Sequence, residues 1–95
     1  MTNTDKYIIF LCGGDFEPVI FSNSVKHCEQ SKISQKHIKI DEIYSAGYIT
    51  YDLEEKAVSC TDKSDTLNKS SKEGDEMILK IHMEHMGFFK NDKSK

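Results

Sequence analysis

Residues 6–21 read Lys6-Tyr7-Ile8-Ile9-Phe10-Leu11-Cys12-Gly13-Gly14-Asp15-Phe16-Glu17-Pro18-Val19-Ile20-Phe21, two runs of aromatic and β-branched residues joined by a glycine pair. Side chains of this kind fit a pleated, half-buried surface, and paired glycines supply the positive backbone angles that a tight hairpin turn requires. The stretch therefore predicts a β-hairpin. Pro18 has no N–H to donate to a ladder, so the second strand is expected at a sheet edge or with a bulge at Pro18.

Downstream of the hairpin, Ser22-Asn23-Ser24 offers good helix N-cap types. They predict a short helix from Val25 to Ile33 with Val25, Cys28 and Ile33 turned toward the sheet. Residues His37 to Tyr51 alternate locally and slip phase around Asp41-Glu42 and near Gly47. That pattern predicts a strand with a bulge or bend near Gly47. Asp52 to Glu55 reads as a turn and Lys56 to Thr61 as a further strand, with Ala57 or Val58 and Cys60 inward. The polar stretch Asp62 to Ser71 reads as an exposed loop anchored at most by Leu67. Ser70 and Glu73 have capping-box spacing for a second helix running to Met86, with Met77, Ile78, Ile81 and Met86 as its apolar positions and Gly87 as its stop.

The expected order is ββαββα. It implies an α+β fold, a small antiparallel sheet of about four strands with two helices on one face. Residues 1–89 are expected to form a single domain and residues 90–95 a disordered lysine-rich tail.

Composition narrows the chemistry. With 95 residues, the chain has room for a shallow core, which disfavours a deep cavity for a large substrate. The longest apolar run, Tyr7 to Cys12, is far too short to cross a bilayer, and the first six residues lack signal-peptide order. A soluble, cytoplasmic protein with no membrane partner is expected. Cys12, Cys28 and Cys60 are odd in number and show no paired spacing, which points to reduced thiols. The net charge is −3, and all 13 basic residues are lysines. Without arginine, bidentate reading of phosphate or guanine edges is lost, so nucleic acid is not an expected partner.

No motif assigns a catalytic residue or a cofactor. Cys12-Gly13-Gly14-Asp15 is followed by strand-forming residues rather than a helix, and it matches neither of the usual phosphate-cradling glycine patterns. His82 and His85 lie three residues apart on one helix and are weak metal-ligand candidates without the spacing of a zinc protease motif. The acidic residues Asp52, Glu54 and Glu55, with Asp62 and Asp65 beyond them, form a candidate negative face for a basic protein surface. Phe88 and Phe89, directly after the second helix, are candidate interface anchors or fold back as core.

The segments Tyr7 to Phe10, Glu17-Pro18-Val19-Ile20-Phe21-Ser22, Ser45-Ala46-Gly47-Tyr48 and Glu73-Gly74-Asp75-Glu76 together resemble small uncharacterised proteins of phages and prophages. The likeness spans most of Tyr7 to Ile81, and its motifs carry no chemistry of their own. Proteins of that setting often bind host components, including defence systems. The resemblance thus implies a non-enzymatic protein-binding module, a phage-type inhibitor of a host protein. The alternative from the residues is a small-molecule or metal-binding protein that sequesters its ligand through His82, His85 and a thiol or the glycine turn. An uncovered edge strand and the two phenylalanines also leave room for a homodimer.

Overall fold

The computed structural model describes residues 2–55, 57–61, 63, 64 and 69–87. Strand β1 (Thr2–Cys12) and strand β2 (Asp15–Phe21) form the expected hairpin, with Cys12 opposite Asp15 and Gly13 and Gly14 as its two-residue loop. Both glycines have positive φ, 57° and 89°, the requirement of a type I′ turn whose twist matches that of the strands. Asp41 straps the turn from outside: its carboxylate accepts from the Gly13 N–H at 2.8 Å, and its own N–H donates to the Leu11 carbonyl at 2.8 Å. A methyl group at Gly13 would meet open space, so its penalty is conformational alone. Gly13→Ala is expected to cost about 1–2 kcal/mol in urea melts. A smaller loss than about 0.5 kcal/mol would show that the turn relaxes.

Helix α1 (His27–Gln35) carries the chain over to strand β3 (Glu42–Asp52), and strand β4 (Ala57–Thr61) returns alongside β3. The sheet order is β2-β1-β3-β4 with every neighbouring pair antiparallel. Strands β2 and β3 consequently run parallel to each other with β1 between them. Pro18 sits on the outer strand β2, where a missing donor costs no ladder bond. Two short strands, β5 (Lys63–Ser64) and β6 (Lys69–Ser70), pair with each other before helix α2 (Asp75–His85) closes the fold. The architecture is α+β, a four-stranded antiparallel sheet with two helices.

The expected placement of both helices on one face is corrected. Tyr7 and Ile9 join Ile49, Tyr51, Leu79 and Met83 in one buried cluster, so α2 covers that side of β1. Ile8, Phe10 and Ala46 form a second cluster, with Val19 and Phe21 beside it. Successive strand side chains point to opposite faces. α1 lies on this other face, where His27 meets Phe21 and Tyr48. A helix on each side is what allows four successive residues, Tyr7 to Phe10, to be completely buried.

Other boundaries move for identifiable reasons. β1 begins at Thr2 rather than Lys6 because β3 is long enough to pair with the polar residues, as in the Thr4–Thr50 hydroxyl contact of 3.2 Å and the Tyr51 hydroxyl donating to Asp5 at 2.8 Å. The irregularity in β3 falls at Tyr44, between residues paired with Phe10 and Ile9, and not at Gly47. The bulge lets Tyr44 join the α2 side while Ile43 joins the α1 side. α1 begins at His27, because Ser22 and Ser24 bond to each other and close a turn ahead of it. Its buried residues are His27, Ser31 and Ser34, whereas the expected core residue Ile33 is 48% exposed. The expected loop from Asp62 to Ser71 contains the β5–β6 pair at its ends; Leu67, its supposed anchor, lies outside the described residues.

Candidate functional site

α2 is positioned by its first residue. Gly74, with φ of 99°, occupies the N-cap and makes no side-chain cap, and Ser70 belongs to β6, so the expected capping box does not form. Asp75 takes over that task. Its Oδ2 accepts from the Lys72 N–H at 2.9 Å and from the Tyr7 hydroxyl at 2.5 Å, with the aspartate fully buried. Burial and the neighbouring Asp75 push the Tyr7 phenol well above its usual range. The same surroundings affect Cys60: burial, reinforced by Asp75 and Glu76, pushes its thiol up to about 12, so it stays protonated and unreactive at neutral pH.

From this anchor the helix crosses the sheet toward the hairpin end of β2. Leu79 and Met83 face inward and are fully buried, leaving Ile81 48% and Met77 64% exposed. Between the outer strand and the last turns of α2 lies an open groove of about 430 Å³ lined by Asp15, Phe16, Pro18, Ile78, Ile81, His82 and His85. Its floor is apolar and its rim carries imidazoles and acid. Phe16 is held by an edge-on contact with Tyr44, ring centroids 4.8 Å apart, and remains 42% exposed. Burial depresses the His82 imidazole below its ordinary range; the Glu17 carboxylate opposes that shift, and His85 adds to it. The acidic character continues around the turn, where burial, Glu17, Asp41 and Asp15 together raise the Cys12 thiol.

The structure brings His82 and His85 together in this groove. Among the described residues no group of three or more histidine, cysteine, aspartate or glutamate side chains could hold a metal ion. Asp52, Glu54 and Glu55 lie elsewhere, at the β3–β4 turn, and Asp52 is engaged by that turn: its Oδ1 accepts from the Glu54 and Glu55 N–H groups at 3.0 and 3.2 Å. Those bonds, with Glu55 contributing most, hold its carboxyl below the usual range. Asp62, Asp65, Phe88, Phe89 and the lysine-rich segment 90–95 lie outside the described residues.

Sequence reasoning missed the groove as a unit. Phe16 and Pro18 read only as strand and Ile81 as core, because nothing local reveals that α2 ends beside β2. The available signal was an excess of apolar positions on α2, more than one buried stripe consumes. No helix among the described residues is long and apolar enough to cross a membrane. No known protein-family model, curated protein or solved structure matches the chain.

Proposed function

We propose that this chain is a non-enzymatic protein-binding module that docks its partner in the groove between β2 and α2. The observation that carries the reading is the joining of Phe16, Pro18, Ile78 and Ile81 into one apolar channel beside an outer strand. Contiguous exposed apolar surface with a polar rim is the usual form of a protein contact. Asp15 and Glu17 give the rim negative charge, so the complementary partner segment carries an apolar anchor flanked by lysine or arginine. Pro18 also deprives the outer edge of one donor, which favours side-chain insertion over addition of a complete extra strand. On the resemblance of its sequence segments to small phage proteins, the proposed target is a host protein, with inhibition of a defence component as the biological outcome.

Immobilised peptides bearing one leucine or phenylalanine between basic residues are expected to retain the protein, and the same anchors between acidic residues are not. Ile81→Asp is expected to weaken that retention by about tenfold or more while leaving thermal unfolding within a degree or two, since Ile81 is already half-exposed. Equal retention on both peptide sets, or undiminished binding by Ile81→Asp, would refute the proposal. A rise in melting temperature with a divalent metal or a small aromatic compound, and none with any peptide, would instead favour ligand sequestration through His82 and His85.

A further inference from the structure

α1 attaches to the sheet in an unusual way. It is a helix of nine residues, short enough to be marginal unless docking supports it, and the side chains it buries are His27, Ser31 and Ser34. The serines are occupied within the helix, accepting from Gln35 at 2.9 Å and Gln30 at 3.2 Å respectively. His27 reaches the sheet through both ring contacts and a hydrogen bond. Its ring is 4% exposed and sits edge-on to Phe21 of β2 and Tyr48 of β3, with centroids 5.4 and 5.9 Å away. Its Nε2 lies 2.9 Å from the Gly47 carbonyl, a hydrogen bond that the neutral ring makes with the proton on Nε2.

Burial and Lys6 oppose a positive charge on this imidazole, while the Gly47 carbonyl favours it. From β1 comes Lys6, whose Nζ donates to the Val25 carbonyl at 2.9 Å and lies 5.8 Å from the Tyr48 ring centre. β2 contributes the uncharged Phe21, and β3 the Tyr48 ring and the Gly47 carbonyl. On α1 itself the flanking residues are Lys26 and Cys28. A proton on the ring would be confined between two aromatic rings, with an ammonium group nearby and one carbonyl already used by the neutral form.

We infer that His27 is an acid-sensitive latch: protonating its ring releases α1 from Phe21, Gly47 and Tyr48 on its side of the sheet. Burial, assisted by Lys6, holds the ring below its ordinary range against the opposing hydrogen bond to Gly47. Because the folded ring binds its proton less readily than the unfolded one, stability is complete above pH ~6.5 and declines as pH falls below that value.

Amide hydrogen exchange on the full chain, expressed as protection factors at pH 7.5 and pH 5.0, tests the latch. Protection in α1 is expected to fall by up to about tenfold per pH unit below pH ~6.5, more steeply than in β1. His27→Gln keeps a side-chain N–H for the Gly47 carbonyl but cannot titrate, and its α1 is expected to respond little to pH. His82→Gln keeps the wild-type response. Wild-type α1 protection that ignores pH, or a His27→Gln profile as steep as wild type, would overturn the inference. If His27→Gln fails to fold, the wild-type protein decides by NMR titration of the ring together with α1 exchange: a midpoint at or above the ordinary histidine value, or α1 protection that does not fall as the ring titrates, overturns it, and protection that falls with a lower midpoint supports it.

Discussion

Replacing Asp75 with alanine is expected to remove about 3 kcal/mol of folding stability. The substitution leaves the fully buried Tyr7 hydroxyl and the part-buried Lys72 N–H without their Asp75 acceptor. Each stranded donor costs about 1–3 kcal/mol, and the vacated volume adds to that. In a domain of this size the loss corresponds to a fall of roughly 15 °C in melting temperature. Tyr7→Phe is milder, about 1–3 kcal/mol, because Lys72 still meets the carboxylate. The pair Tyr7→Phe and Asp75→Ala should be non-additive in a double-mutant cycle, since each change removes the bond they share. Urea melts with an unchanged slope are the measurement, and a loss below about 1 kcal/mol for Asp75→Ala would show that the bond is dispensable.

Leu79→Ala is expected to cost about 2–5 kcal/mol, whereas Met77→Ala, two residues earlier on the same helix, should fall within about 0.5 kcal/mol. The contrast follows from orientation. Leu79 is fully buried against Tyr7, Ile9 and Ile49, while Met77 is 64% exposed. Parallel melts of the two variants measure it directly. Similar losses at the two positions would mean that α2 is rotated from the orientation described.

These two substitutions also show where the sequence was informative and where it was not. Helical spacing correctly located α2 but favoured Met77 and Ile81 as its apolar face, because Leu79 and Met83 form a second apolar stripe that competed for the same role. The hairpin was legible because Gly13-Gly14 imposes a local solution. The four strands of the main sheet, their antiparallel sense and the class followed from local alternation and turn chemistry, whereas the β5–β6 pair did not. The assignment of helices to faces did not, although its sign stands in the sequence: Tyr7 to Phe10 runs without alternation, the mark of a strand covered on both sides. α1 was harder, since its buried stripe is polar and its apolar Ile33 points outward. The strand formed by Thr2 to Asp5 was invisible for a similar reason, its polar residues being ordered by β3 and not by their own propensity. As for the candidate site, His82 and His85 were singled out individually, but their shared groove arises from the meeting of elements about 65 residues apart, beyond the reach of any local pattern.

The placement of β1 between two parallel neighbours has a consequence for the order of assembly. Its partner on one side arrives across a two-residue turn, but the partner on the other is separated from it by roughly thirty residues that include α1. Closing the first contact is fast and local, while the second must await a longer and slower search. During that interval the newly formed hairpin presents the open edge of its most apolar strand, Tyr7 to Cys12, to any other chain. The period of greatest susceptibility to self-association therefore precedes the docking of β3, and a slow step there would convert productive chains into aggregates while the finished molecule kept that edge covered.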